Sequence, residues 1–174
     1  MPLYFAYGSN MDRAAMRQRC PGSRPLGTAR LARHRLVIGA HGYASVAHDP
    51  RRSVWGLLWD LALADVSALD RYEDVGNGLY AKAMQPVITE SGARRALIYL
   101  AADPRPGPAR AGYVEGILAA AREIGLPADY IRDLEGLIAV QRQKPPRPSA
   151  PGRSGRRVLP RAPNPASLGP EGAQ

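Results

Sequence analysis

The chain opens with an aromatic strand pattern that stops at a small polar turn. Residues 3–7 are apolar or aromatic, and Gly8, Ser9 and Asn10 follow directly before a helical pattern. The first N–H groups of a helix lack partners and carry partial positive charge, so such a junction can bind a carboxylate or another anion. Ser9 and Asn10 are equally typical of a helix cap. The residue types therefore leave two interpretations open, a ligand-binding loop and a simple cap.

A second chemically dense segment lies between Leu69 and Tyr80. It contains two adjacent acids, Glu73 and Asp74, at the predicted C-terminal end of a helix. The helix dipole disfavours negative charge there, and neighbouring carboxylates raise each other's pKa. A carboxylate poised in this way is a candidate general base. The alternative interpretation is a solvated helix end followed by a glycine-rich turn.

Other kinds of site find little support in the sequence. His34, His41 and His48 are each seven residues apart and Cys20 is the single cysteine, so neither a metal-ligand spacing nor a disulfide framework is present. The sequence also lacks a phosphate-binding loop and a nucleophile elbow. We therefore expect no metal and no cofactor.

Alternating short strands and helices must position the two segments. We predict strands at 3–7, 31–38, 43–48, 54–61, 79–89 and 96–101, and helices at 11–20, 63–72, 110–124 and 127–138. Gly56, inside a strongly apolar strand, indicates a bulge or a close approach of two backbones. This mixture favours an α+β fold in which a mixed sheet curls into a small β-barrel flanked by helices.

Charge and composition divide the chain into two parts. The net charge is +9, and residues 141–174 contribute +6 of it, from seven basic residues and one acid. This segment also holds eight of the 17 prolines, so we predict a disordered basic tail after a domain that spans 1–140. The tail is either an inert extension or a weak electrostatic arm for nucleic acid or acidic partners. The rest of the chain is too mildly basic to indicate a nucleic-acid-binding domain.

Three features of the sequence bear on where in the cell the protein is located. No stretch approaches the roughly 20 apolar residues that span a bilayer, and the N-terminal residues form a predicted strand rather than a signal peptide. A lone cysteine fits a reducing compartment. We therefore expect a cytoplasmic protein without a membrane partner.

Four motifs, in order along the chain, resemble the γ-glutamylcyclotransferase family, also called AIG2-like. YFAYGSNM resembles the family's N-terminal YGSN loop, and VWGLLWDL resembles its central VWG strand. LDRYEDVGNGLY resembles the segment that carries its catalytic glutamate, and GYVEGILAAAREIGLPADYIRDL resembles its C-terminal helical pair. The resemblance covers about residues 2–140.

The resemblance implies an enzyme that cyclises a γ-glutamyl group and releases 5-oxoproline together with a free amine or amino acid. The partner it implies is a small-molecule γ-glutamyl substrate. The implied catalytic residue is Glu73, which would take a proton from the α-ammonium and return one to the leaving amine. The implied substrate-binding residues are Tyr7, Gly8, Ser9, Asn10, Tyr80 and Tyr113.

One position departs from the family pattern. Many relatives carry glycine directly after the catalytic glutamate, whereas this chain carries Asp74. A charged residue there could alter the turn, raise the pKa of Glu73 or exchange roles with it. A second function therefore stays open, a module that binds γ-glutamyl ligands without turnover. The basic tail leaves a third function open, that of a protein whose tail mediates its interactions.

Overall fold

The computed structural model describes residues 2–143 of the 174-residue chain, and the side chains of the last two of these residues are not described. The final helix continues to Gln143, three residues past the predicted domain boundary at 140. The remainder of the predicted basic tail lies outside the described residues.

Five strands form a closed barrel, which confirms the predicted α+β fold. The strands are β1 (Leu3–Ala6), β2 (Arg24–Ile38), β3 (Ala44–Asp60), β4 (Tyr80–Thr89) and β5 (Gly92–Ala101). The α-helices are α1 (Arg13–Arg19), α2 (Val66–Tyr72), α3 (Tyr113–Glu123) and α4 (Ala128–Gln143). The strand order is β1-β3-β2-β4-β5, and the parallel pairing of β1 with β5 closes the barrel, while the other pairs are antiparallel.

The hairpin of β2 and β3 is longer than the sequence pattern indicates. The two strands predicted at 43–48 and 54–61 are a single strand, and β2 begins seven residues before the predicted start at 31. The register shifts between the pairs Ala32–Ser53 and His34–His48, so that Arg33 of β2, with a positive φ of 61°, faces residues 49–52 of β3. The extra residues therefore lie in β3. An irregularity of this kind bends a strand without ending it, so the polar residues between the two predicted strands do not mark a turn.

Gly56 confirms the predicted close approach of two backbones. A Cβ atom at this position would lie 2.1 Å from the carbonyl oxygen of Ala6. Only glycine therefore allows β1 to lie against β3 at this point. Ala6 is the last residue of β1, so this contact lies close to the turn that follows the strand.

One hydrophobic core fills the barrel and the seam between the barrel and its helices. Phe5, Val54 and Ile98 are completely buried in the barrel, while Ile117 of α3 and Leu134 of α4 are buried on the helical side. Burial of large apolar side chains of this kind is the main driving force for folding. Within residues 2–143, no helix has the length and apolar character needed to cross a bilayer.

Candidate active site

The turn after β1 does not use its polar side chains to cap a helix. A 3-10 turn over Ser9–Met11 is closed by a backbone hydrogen bond of 3.0 Å to the Gly8 carbonyl. The cap of α1 is Asp12, whose carboxylate accepts hydrogen bonds from two backbone N–H groups of the helix at 2.9 and 3.0 Å. The interpretation of Ser9 or Asn10 as a simple helix cap is therefore wrong.

The side chain of Asn10 joins the two segments that the sequence singled out. It is buried, and its Nδ2 donates to Oε1 of Glu73 at 2.6 Å and to the hydroxyl of Tyr4 at 2.9 Å. Its Oδ1 accepts a hydrogen bond from the guanidinium of Arg19. A turn and an acid that are 63 residues apart in sequence thus meet at one hydrogen bond.

Helix α2 places Glu73 at this meeting point. Glu73 directly follows the helix with φ −80° and ψ 0°, in a sparsely populated region where many active-site residues lie. Leu69 is completely buried on the inner face of the helix. The carboxylate of Asp70 ties α2 to the barrel, since it accepts from the Tyr99 hydroxyl at 2.6 Å and from Lys82 Nζ at 2.7 Å.

The carboxyl group of Glu73 has a perturbed pKa. Burial raises its pKa from the ordinary value of 4.5 to about 7, although the positive charge of Arg19 and the hydrogen bond from Asn10 act in the opposite direction. The direction agrees with the prediction from sequence, but the cause is different. The sequence suggested repulsion from Asp74, whereas desolvation accounts for the shift.

Asp74 lies in the left-handed region of backbone space, with φ 52° and ψ 41°. Glycine is the residue that adopts this conformation without steric cost. The Asp74 carboxylate accepts a hydrogen bond from the Asn77 side-chain amide at 2.6 Å. The two adjacent acids therefore make separate contacts, Asp74 within its own turn and Glu73 with Asn10.

Two tyrosines that the resemblance singled out lie beside the turn. The hydroxyl of Tyr80 donates to the Ala44 carbonyl at 2.6 Å, and the hydroxyl of Tyr113 accepts from the Ala44 N–H at 3.2 Å. A Cβ at Gly8 would lie 3.2 Å from the Tyr113 hydroxyl, so the turn passes close to that side chain. Burial raises the pKa of both tyrosines, and the charge of Glu73 adds to this effect, so both hydroxyls stay protonated.

Tyr7 belongs to the interior rather than to the surface of the site. Its ring is buried, and its hydroxyl donates to the backbone carbonyl of Tyr99. Burial raises the pKa of the Tyr7 hydroxyl, and the negative charge of Glu73 raises it further. The side chain thus braces β1 against β5, and the backbone is the part of Tyr7 that adjoins the Gly8 turn.

Sequence reasoning missed three residues that contact the site. Arg19 bonds to Asn10, Tyr4 accepts from the same amide, and Tyr72 stacks on Arg19 with a distance of 3.4 Å from the guanidinium carbon to the ring centroid. The Tyr72 hydroxyl also lies 3.1 Å from Oγ of Ser9. No spacing rule connects the end of α1 with the turn before it, so the pattern contained no signal for Arg19.

The histidines noted in the sequence do not form a metal site. His34 and His48 face each other across β2 and β3, with ring centroids 5.9 Å apart. Among residues 2–143, no group of three or more His, Cys, Asp or Glu side chains is arranged to hold a metal ion.

Comparison with known proteins agrees with this geometry. The model of the AIG2-like family matches residues 53–134. Gamma-glutamylcyclotransferases from Homo sapiens and Bos taurus are each 30% identical to the chain over 146 residues, which cover 78% of this chain and 78% of the relative. A solved gamma-glutamyl cyclotransferase structure has 29% identity and a TM-score of 0.72, covering 77% of this chain and 86% of the other. The chain therefore belongs to the AIG2-like gamma-glutamylcyclotransferase family and is an enzyme of that type.

Proposed function

We propose that the protein cyclises the γ-glutamyl group of γ-glutamyl amides, releasing 5-oxoproline and a free amine or amino acid, with Glu73 as general acid and base. The observation that carries the proposal is the 2.6 Å hydrogen bond between Asn10 and Glu73. It joins the turn motif and the acid motif at a carboxyl whose pKa is about 7. Relatives named gamma-glutamylcyclotransferase, at 30% identity, support the same reaction.

The reaction suits a single carboxylate. Glu73 takes a proton from the substrate α-ammonium, and the freed amine attacks the γ-carbonyl carbon to form a ring and a tetrahedral oxyanion. The bond to the leaving nitrogen then breaks as Glu73 returns the proton to that nitrogen. The ring nitrogen gives up its second proton to the released amine, which becomes an ammonium ion. No water or proton is consumed overall. A group with a pKa of about 7 performs both transfers well because its two protonation states are nearly equally populated at neutral pH.

The turn over Gly8, Ser9 and Asn10 is proposed to bind the substrate. The first N–H groups of a 3-10 turn have no acceptor within it, so they are suited to the α-carboxylate or to the developing oxyanion. Tyr80 and Tyr113 supply protonated hydroxyls beside this turn. Ring closure requires a folded substrate, and a site bounded on several sides would hold the amine against the carbonyl.

The alternative of a binding module without turnover rested on the charged residue at position 74. The contact of Asp74 with Asn77 accounts for that residue within its own turn, at 2.6 Å. This geometry favours the enzyme over the binding-only alternative, because the carboxyl of Glu73 keeps its hydrogen bond to Asn10.

The test is a panel assay for 5-oxoproline. The full chain is incubated with γ-glutamyl-L-alanine, glutathione and a γ-glutamyl alkylamine, and 5-oxoproline is quantified by mass spectrometry. We expect release from at least one substrate, a loss of about 10²- to 10⁴-fold in Glu73→Gln, and a rate within about twofold of the wild type in the matched control Asp74→Asn.

Two results would overturn the proposal at different points. If the wild-type chain releases no 5-oxoproline from any substrate at high enzyme concentration, the proposed reaction is wrong. If Glu73→Gln retains activity, or if Asp74→Asn loses as much as Glu73→Gln, the reaction stands but the role of Glu73 does not.

A further inference from the structure

We propose that Arg19 is a positioning residue of this site: it holds the Asn10 amide in one orientation and, through that amide, holds the carboxylate of Glu73. The inference rests on the proposed function, because it assigns a role within the same reaction. Arg19 is the last residue of α1 and is half-buried. Arg19 lies outside the four motifs that resemble the family.

The argument begins with the asymmetry of an amide group, which has one accepting end and one donating end. Oδ1 of Asn10 accepts from Arg19, while Nδ2 donates to Glu73 and to Tyr4. The opposite orientation would set the amide oxygen against a carboxylate and the amide NH₂ against a guanidinium. All three hydrogen bonds would be lost or inverted, so Arg19 and Glu73 together select a single orientation.

Arg19 is itself held between two groups. Its guanidinium carbon lies 3.4 Å from the ring centroid of Tyr72, and the same guanidinium donates a hydrogen bond to Asn10. A planar guanidinium can stack on a ring and donate within its own plane at the same time, which a lysine ammonium cannot do. Tyr72 is the residue directly before Glu73, so the stack also links Arg19 to the backbone that carries the acid.

The charge of Arg19 has a second effect on the same carboxylate. Burial raises the pKa of Glu73, and Arg19 is the first of the opposing influences. The charged or titratable groups that couple to Glu73 are Arg19 on α1, Tyr4 on β1, Tyr7 after it, Tyr80 on β4, Tyr99 on β5 and Tyr113 on α3. Among these groups Arg19 alone is a cation. Removing it leaves the hydrogen bond from Asn10 as the remaining influence against burial, so the pKa of Glu73 rises and the carboxylate form becomes scarcer at neutral pH.

The experiment compares Arg19→Met and Arg19→Lys with the matched control Arg17→Met. Arg17 lies on the same helix, is exposed, and donates to the backbone carbonyl of Arg13. Two readouts are measured on the full chain: the pH titration of the Glu73 carboxyl carbon by ¹³C NMR, and kcat and KM for 5-oxoproline release.

A positioning role predicts a specific pattern. In Arg19→Met the Glu73 titration moves upward by at least about one pH unit, and kcat falls about 100-fold while KM changes little. In Arg19→Lys the titration stays near that of the wild type, because the charge is kept, but kcat recovers only in part. Arg17→Met behaves as the wild type in both measurements.

An unchanged titration and kcat in Arg19→Met, or an equal fall in Arg17→Met, would overturn the inference. If Arg19→Met does not fold, Arg19→Lys decides: full wild-type kcat in that variant shows that the planar fork is not needed. If the wild-type chain releases no 5-oxoproline, the proposed function fails, while the NMR titration still decides whether Arg19 governs Glu73.

Discussion

Two carboxylates at the end of the same helix have opposite environments. Asp70 pairs with Lys82 at 2.7 Å and accepts from the Tyr99 hydroxyl at 2.6 Å. Burial tends to raise the pKa of Asp70, but these two partners outweigh it and lower that pKa. Glu73 has an amide donor and, within residues 2–143, no direct ion pair, so burial prevails and raises its pKa to about 7. The partners of each acid, rather than its burial alone, separate an anchoring carboxylate from one suited to proton transfer.

Substitution of Glu73 is expected to have the largest effect on the difference between these two acids. This carboxyl binds its proton more tightly in the folded chain than in the unfolded chain, so its contribution to stability falls as pH rises from 4.5 to about 7. Glu73→Gln removes that penalty. We expect its free energy of unfolding to exceed that of the wild type by up to about 3 kcal/mol at pH 8 and to equal it at pH 4. Urea denaturation at both pH values measures this, and an equal stability at pH 8 would show that burial does not dominate.

A smaller effect of the opposite sign is expected at Asp70. Its pKa is lowered in the folded chain, so the stability that it contributes is present above its ordinary pKa of 3.8 and is lost as pH falls below that value. We expect Asp70→Asn to cost about 1–2 kcal/mol at pH 7 and progressively less in acid.

The control for this prediction is Asp133→Asn, since Asp133 forms an exposed ion pair with Arg52 at 3.4 Å. We expect it to cost less than about 0.5 kcal/mol. Equal losses in the two variants, followed by chemical denaturation, would remove the distinction between an anchoring acid and a surface acid.

The smallest effect is expected at Asp74, the acid that adjoins Glu73 in sequence but not in contacts. Its backbone is left-handed, so Asp74→Gly relieves steric cost while it loses the contact with Asn77. We expect a gain of about 0.5 kcal/mol in stability with unchanged turnover. Thermal melts and the 5-oxoproline assay check this, and a large loss of activity would show that Asp74 takes part in the chemistry.

Local features of the fold could be predicted from the sequence. The glycine at position 56 indicated a close backbone approach, and the contact with Ala6 has that character. The residue types predict the junction after β1 but not which residue caps the following helix, because Asp12 is as suitable a cap as Ser9 or Asn10. The sequence pattern does not predict the irregularity of β3 opposite Arg33, because a polar stretch inside a bent strand resembles a turn.

Contacts between distant segments could not be predicted from spacing alone. The parallel pairing of Tyr4 with Leu97 closes the barrel, and no local pattern specifies it. Family motifs brought the turn and Glu73 together, but the desolvation that raises the Glu73 pKa depends on the packed barrel. Arg19 reaches Asn10 only because α1 folds back on the turn, which a one-dimensional pattern does not show.

The most direct test of the central claim is the pH dependence of kcat/KM for 5-oxoproline release, in the wild type and in Glu73→Gln, from about pH 5 to about pH 9. The acidic limb of this profile reports the pKa of the free enzyme's general base. We predict that wild-type kcat/KM rises with pH through an inflection at about 7, and that Glu73→Gln loses both the inflection and the activity. An inflection near the ordinary value of 4.5, or a Glu73→Gln variant as active as the wild type, would contradict the account.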